Sequence, residues 1–433
     1  MLTTLGIVLF AIAIAISIAL HELGHLLPAK LFGLRVPQYM IGFGPRIWSR
    51  QRGETEYGVK AIPIGGYCRM VGMFPPRPGD DGRVRTSTTG RFSTMIEQAR
   101  QASFEEVRPG DDGRLFYQLP ARKKIVVMLG GPVMNLIIAA VLIGGTLVGL
   151  GTPTLSTSVQ TVSDCVIPAA RTDQTTCRSG DPLTPAAKAG LRPGDTITAF
   201  NGTPITSWTQ LQTLIRDAGG QKVTLGIDRG GQARQVSTTL VRTQRPVEAN
   251  TPSGYTLRDV GFLGVSPGQH LVRASITSVP GTLADYTWRT ASAVINIPAR
   301  MGGVWQAAFS NAPRDPYGPI GVVGASRLGG EVAALPEPVS FKIVGFLLLV
   351  GSLNLALFVF NLIPLLPLDG GHVAGAIYEG ARRKVASLRR RPDPGPADVT
   401  KMLPIAYTMA VLIVGMSALL LYADLVNPVR LGG

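Results

Sequence analysis

The stretch Ala19-Leu20-His21-Glu22-Leu23-Gly24-His25 carries the pattern H-E-x-x-H, and it closes an apolar run that begins at Met1. Residues four apart share a helix face, so the imidazoles of His21 and His25 can reach one zinc ion. Glu22 lies one position on and suits a general base for an attacking water. Met1 to Leu20 carries no charged side chain, and with its continuation through Ala29 the run exceeds the roughly 20 residues needed to cross a bilayer. Ionisable groups inside such a span are costly and are functional by default. The competing reading is two helix-end histidines near the interface, with Glu22 turned towards water. A cleaved signal peptide would need a basic leading region, whereas Lys30 is the first basic residue.

A catalytic zinc site needs a third protein ligand and an open fourth position. The best candidate is Asp369, in Asn361-Leu-Ile-Pro-Leu-Leu-Pro-Leu-Asp-Gly-Gly371, after an uncharged stretch that begins at Ile343. Pro364 and Pro367 are expected to break the helix before it, and Gly370 and Gly371 to let the chain turn after it. A helix cap is the alternative role for Asp369. His372 is a possible fourth ligand if the metal is only structural, and otherwise a hydrogen-bonding support for the site.

The 433 residues leave room for two or three domains. Only 16% of them are charged, against about 25% in soluble domains, and the apolar residues are clumped. Three further membrane spans are read at about 125–150, 343–362 and 402–421. The net charge of +15 is compatible with a nucleic-acid binder, but the Lys and Arg residues flank the apolar runs, so no nucleic-acid partner is expected. Lys30, Arg35, Lys123, Lys124 and the cluster Arg382 to Arg391 sit at one set of span ends, which the positive-inside rule places in the cytosol. Both termini and the long segment from about 151 to 340 then lie outside, and His21 and Asp369 fall at similar depth towards the cytosolic side. Cys165 and Cys177 are both in the outer segment, where oxidation is permitted. A bond between them closes a short loop worth on the order of 2–3 kcal/mol, the alternative being two free thiols. Three cysteines exclude a disulfide-framework miniprotein and any four-cysteine zinc finger.

Between the spans, Pro185-Ala-Ala-Lys-Ala-Gly-Leu-Arg-Pro-Gly-Asp195 precedes an alternating strand, Thr196 to Phe200, and an Asn201-Gly202 turn. Ser207 caps a helix expected to run to about Asp217, and strands follow near 223–227 and 236–241. This order resembles the bacterial type of PDZ domain, over roughly 90 residues. PDZ domains take an extended peptide as an added strand beside a helix. The segment RPGDDGR occurs twice, from Arg77 and from Arg108, and reads either as an ion-binding or docking loop or as two solvated turns. Leu283 to Phe309 reads as an amphipathic helix on the membrane.

Taken together, the chain resembles the site-2 protease family of intramembrane zinc metalloproteases, in the bacterial form with one PDZ domain. His21, Glu22 and His25 match its H-E-x-x-H motif. Asn361, Pro364, Leu368, Asp369 and Gly370 match its N-x-x-P…L-D-G motif, and Gly131-Pro132-Val-Met-Asn135 matches a G-P-x-x-N motif. The resemblance implies one Zn2+ per chain held by His21, His25 and Asp369, with Glu22 catalytic. It implies substrate contacts at Gly65, Gly66 and Tyr67, in a membrane-re-entrant β-hairpin, and at Asn135 and Asn361. The implied substrates are single-span membrane proteins, such as pre-trimmed anti-sigma factors or remnant signal peptides, and the implied home is a bacterial plasma membrane with lipid around the spans.

The expected fold is therefore a membrane α-helical bundle of four transmembrane helices with a re-entrant β-hairpin and an inserted α+β PDZ domain. Its expected parts are helix one over 1–29, a cytosolic hairpin and loop over 30–122, helix two over 123–150 and the PDZ domain over 151–245. An extracytoplasmic connector over 246–340, helix three over 341–370, a cytosolic basic loop over 371–400 and helix four over 401–433 complete them. Two other classes compete. A PDZ-bearing scaffold with a closed structural metal site would need no catalytic base. A metal transporter would need a polar path across the bilayer, and spans two and four offer little beyond Asn135 and Asp424.

Overall fold

The computed structural model describes residues 1–75, 107–167, 177–248, 255–310, 314–315 and 318–429. The chain divides into two compact units: Met1–Gly149 with Ala274–Gly433, and Leu150–Arg273.

Among the described residues, the first unit holds four helices long and apolar enough to cross a membrane, Leu2–Leu31, Ala121–Leu150, Val339–Asn361 and Val399–Val426. Helix α1 (Leu2–Leu31) crosses α2 (Ala121–Gly145) at Gly24 and Gly130, where a side chain on either would strike the other's carbonyl oxygen. Small residues let membrane helices approach in this way. Between them lies a hairpin, β1 (Gln38–Arg52) and β2 (Thr55–Arg69). Its strands bend so that Gln38 to Ile41 pair with Glu56 to Val59 on one side and with Gly66 to Arg69 on the other, while Arg46 to Arg52 pair with Thr55 to Lys60. Gly66 to Arg69 thus forms an outer edge, and among the described residues no further strand covers it. Tyr39 Oη donates to Ala19 O at 2.6 Å and holds the hairpin on α1.

The second RPGDDGR copy forms turns with Arg108, Pro109, Gly110, Asp112 and Gly113 exposed, as the solvated-turn reading expects, but Asp111 is drawn inward. Asp111 Oδ2 accepts from the Arg108 backbone N–H at 2.7 Å and from Arg35 Nη1 at 2.6 Å, and the carboxylate is buried. Gly110 has φ +95°, as the third position of a Pro-Gly turn demands. The same lock recurs in the second unit at Arg192-Pro-Gly-Asp195, where Asp195 Oδ2 accepts from Arg192 N at 2.8 Å. The second copy thus shares its turn with Arg192 to Asp195. The first copy, over 77–83, lies outside the described residues.

The second unit is α+β. Strands β3 (Thr152–Val162), β4 (Thr196–Phe200), β5 (Lys222–Arg229) and β6 (Gln232–Thr239) are followed by a hairpin of β7 (Val241–Glu248) and β8 (Tyr255–Phe262), and then by β9 (Val265–Val272). The main sheet runs β9-β3-β4-β5-β6, with the short strand Thr203–Pro204 beside β4. Helix α3 (Trp208–Asp217) begins at Ser207, whose hydroxyl accepts from Gln210 N. Its apolar side closes the core with Ile197, Leu225, Ile227 and Leu263. The unit reaches to Arg273 because β9 pairs with β3, so it takes in the first part of the expected connector. Cys165 and Cys177 are bonded, with Cα atoms 5.8 Å apart.

After Ala274 the chain returns to the first unit. The amphipathic stretch forms two helices, α4 (Val279–Ile295) and α5 (Ile297–Phe309), and α6 (Val322–Ala334) follows. Asp424 accepts from Gly321 N at 2.8 Å, Gly324 N at 2.9 Å and Arg314 Nη2 at 3.2 Å, which ties the start of α6 to the last helix. Helix α7 (Val339–Asn361) ends before Pro364 and Pro367, and α8 (Asp369–Leu388) begins at Asp369. The final helix is α9 (Leu403–Val426).

Two expectations are corrected here. Residues 371–400 are not simply a loop, because the first eighteen are helical, with apolar residues spaced for one face. Gly370 and Gly371 do not make a turn. They lie within α8, where a Cβ on Gly370 would sit 2.5 Å from Leu362 O and one on Gly371 2.5 Å from Leu366 N. Close packing on the preceding loop is what requires them.

Candidate metal centre

Three side chains from two distant parts of the sequence meet between α1 and the start of α8. His21 Nε2 lies 3.2 Å from Asp369 Oδ2, His25 Nε2 lies 3.3 Å from the same oxygen, and the two nitrogens are 3.3 Å apart. A tetrahedral zinc ion with bonds of about 2.0 Å separates its ligand atoms by roughly 3.3 Å. The near-equilateral triangle therefore has the size of one tetrahedral face. Asp369 Oδ2 is buried and makes no hydrogen bond, which leaves it as a donor atom for a cation. The donor set of two imidazoles and one carboxylate is a familiar one for catalytic zinc.

The nitrogens of each imidazole are assigned by their surroundings. His25 Nδ1 donates to Val127 O on α2 at 2.8 Å, which leaves Nε2 bare. Asn135 Nδ2 lies 3.2 Å from His21 Nδ1 and its buried Oδ1 has no partner, which favours the amide turned end for end, oxygen to the ring. With the oxygen end towards the ring, that amide accepts the Nδ1 proton and leaves His21 Nε2 bare as well. Gly131 supplies the space: a Cβ there would lie 2.8 Å from His21 Nε2 and would also strike His25.

Glu22, the next residue on α1, faces the hairpin edge. A Cβ on Gly66 would sit 3.1 Å from Glu22 Cγ and 3.2 Å from Ile18 Cγ2. Gly65 has φ +89°, and Tyr67 stacks on Phe43 with its hydroxyl 3.3 Å from Gln38. On the same strand, burial and the nearby Glu22 carboxylate push the Cys68 thiol up to about 12, so it offers no thiolate.

Asn135 is placed differently from the expectation of a substrate contact. It is fully buried and faces His21. Asn361 is the last residue of α7 and is half-buried. His372 is not one of the three converging groups. Sequence reasoning missed Val127, whose part is played by a backbone carbonyl that no motif can reveal. It also missed Ser17 and Asn354, a buried pair joining α1 to α7 at 3.0 Å. A lone polar residue at each of these positions in an apolar helix was the available signal.

A membrane-length helix that carries two histidines, with a carboxylate at zinc-ligand spacing from the loop end after another such helix, defines a class of membrane metalloprotease, and the comparisons agree. The model described as Peptidase family M50 matches residues 9–392. The chain belongs to that family, the site-2 proteases, and is a zinc metalloprotease. It is 36% identical over 440 residues to the zinc metalloprotease Rip1 of Mycobacterium tuberculosis, with all of both chains covered. Rip1 of Mycolicibacterium smegmatis is 32% identical, again over the whole of both chains. RasP of Shouchella clausii, also a zinc metalloprotease, is 26% identical over 87% of this chain and 91% of its own. The crystal structure of a PDZ domain from an SdrC-like protein of Listeria innocua aligns with 27% of this chain and 96% of that one. Its 20% identity and TM-score of 0.17 carry no argument about the second unit.

Proposed function

We propose that the chain hydrolyses peptide bonds in or near the transmembrane segment of single-span membrane proteins already trimmed outside the membrane. Membrane-anchored anti-sigma factors and remnant signal peptides are the substrate types in view. The observation that carries this reading is the triangle of His21 Nε2, His25 Nε2 and Asp369 Oδ2, with sides of 3.2–3.3 Å, next to Glu22. These three residues would hold one zinc ion per chain. The ion would supply Lewis acidity towards the scissile carbonyl and lower the pKa of the attacking water.

Glu22 takes the proton of the attacking water and passes it to the amine of the departing strand. The water oxygen bonds to the carbonyl carbon, and the C–N bond breaks. Asn135 and Val127 O keep both imidazole protons on the side away from the substrate. A helical substrate hides its carbonyls in its own hydrogen bonds. The uncovered edge from Gly66 to Arg69, beside Glu22, suits an unwound segment added as one more strand. Asn361, at the mouth of the loop leading to Asp369, is suited to hold that segment.

The second unit acts as a PDZ filter or docking module outside the membrane. In support, a hollow beside α3 is lined by Trp208, Ile215, Phe262, Leu263 and Val265. The Lys and Arg residues at the span ends favour a bacterial plasma-membrane orientation with both termini and this unit outside, and the zinc site towards the cytosol.

The test is Glu22→Gln in the purified chain, measuring bound zinc and cleavage of a single-span substrate. Full zinc with no cleavage is expected. Undiminished cleavage would remove Glu22 as the base, and a fully inactive wild type with tightly held zinc would favour a structural metal in a scaffold.

A further inference from the structure

Helix α8 is not one of the four candidate spans, since Glu379, Arg382, Arg383 and Lys384 interrupt it. It nevertheless exposes a large apolar face. Ile377 is 55% exposed, Tyr378 61%, Val385 46% and Leu388 75%. At 3.6 residues per turn these four side chains fall within about 100° of arc, a single stripe along the helix.

The location of the stripe is given by the packing. A Cβ on Gly380 would lie 3.3 Å from Ala121 Cβ, and one on Gly375 would lie 3.0 Å from Val399 Cγ1. Ala121 and Val399 are the first residues of two candidate spans. Helix α8 therefore runs past the ends of both spans, at the level where hydrocarbon gives way to headgroups. The buried pair Lys124–Glu379, at 2.7 Å, fixes it there, and Glu379 also accepts from Ala397 N.

Basic residues surround the exposed end. Arg382 and Arg383 are occupied, by the carbonyls of 394–396 and by Glu379 and Asp393. Lys384, Arg389, Arg390 and Arg391 make no side-chain hydrogen bond or ion pair with the described residues, and all are exposed. An apolar stripe at the bilayer boundary with free cations beside it is complementary to an anionic lipid surface.

We propose that the C-terminal half of α8, from Ile377 to Arg391, is a docking surface for anionic lipid. Ile377, Tyr378, Val385 and Leu388 enter the acyl boundary, and Arg389, Arg390 and Arg391 engage phosphate headgroups. Because Asp369 is the first residue of the same helix, the bilayer also braces the carboxylate end of the metal centre.

The test uses the full chain with Leu388→Cys carrying an environment-sensitive fluorophore, in a Cys68→Ser background. The labelled protein is placed in nanodiscs of phosphatidylcholine alone or mixed with phosphatidylglycerol, and quenching by acyl-chain nitroxide lipid is read. Strong quenching is expected in the anionic bilayer. It should fall in phosphatidylcholine and in an Arg389→Gln, Arg390→Gln, Arg391→Gln variant. Each arginine near such a surface is worth about a factor of five, so the triple change weakens docking by roughly two orders of magnitude. A fluorophore that stays unquenched in the anionic bilayer would assign the stripe to a protein partner or a second copy and overturn the proposal. Equal quenching in both bilayers and in the triple variant would leave anionic lipid with no role and overturn it as well.

Discussion

Asn354 on α7 donates to Ser17 Oγ on α1 at 3.0 Å, one helical turn before His21. Both side chains are buried, and Asn354 also donates to Val350 O at 2.9 Å. The bond fixes the relative depth of α1, which carries the histidines, and of α7, which leads to Asp369. Asn354→Ala should destabilise the chain by about 1–3 kcal/mol, because a buried polar pair loses one member. The reciprocal swap, Ser17→Asn with Asn354→Ser, should recover part of the loss. Thermal unfolding in detergent, with and without added zinc, measures both, and a swap no better than the single change would deny the registering role.

Gly131→Ala should remove metal binding while leaving the chain inserted. The added methyl sits 2.8 Å from His21 Nε2, and the neighbouring atoms belong to two rings locked by α2. Zinc content of the purified variant is the measurement. Full occupancy would mean that the rings have another arrangement.

Asn135→Leu keeps the branching and heavy-atom count of the side chain, though it is bulkier, and removes the acceptor for the His21 Nδ1 proton. Loss of such support typically costs 10–100-fold in metal affinity. Competition with a zinc chelator should show a drop of that size, and Asn135→Asp should lose less than Asn135→Leu.

The second unit should lose stability in acid through Asp195. Hydrogen bonds and charge from Arg229 hold its carboxyl below the usual carboxylate range, helped by the Arg192 backbone N–H. The folded pKa is thus lower than the unfolded one. The stabilisation is complete above about pH 4, the ordinary Asp value, and is lost as pH falls below it through the folded pKa. Hydrogen exchange around 190–230 should quicken over that range. Asp195→Asn should flatten this pH dependence, and an unchanged profile would remove Asp195 as its source.

The residues that converge at the candidate metal centre stood out because each is a polar residue in an apolar stretch, where chemistry outweighs packing as a reason for its presence. His21, His25 and Asp369 could be picked out in this way although 344 positions separate His25 from Asp369. The spans were legible because backbone burial in lipid requires long uninterrupted helices. The role of Asn135 was not legible, since a motif names a residue without saying which way it faces. Gly370 and Gly371 were misread because the sequence suggests a turn wherever two glycines follow a proline-rich loop, whereas their backbone lies against Leu362 and Leu366. The RPGDDGR repeat was opaque for a related reason. The Asp111 carboxylate is buried by Arg35, some 76 positions away, and no local pattern announces that partner.

Zinc bound to Asp369→Ala, read beside the wild type and His372→Ala, tests the metal centre most directly. The wild type should hold one zinc ion per chain, Asp369→Ala should lose zinc and cleavage together, and His372→Ala should keep the metal and part of the activity. Full zinc in Asp369→Ala with none in His372→Ala would contradict the assignment of His21, His25 and Asp369 as the ligands.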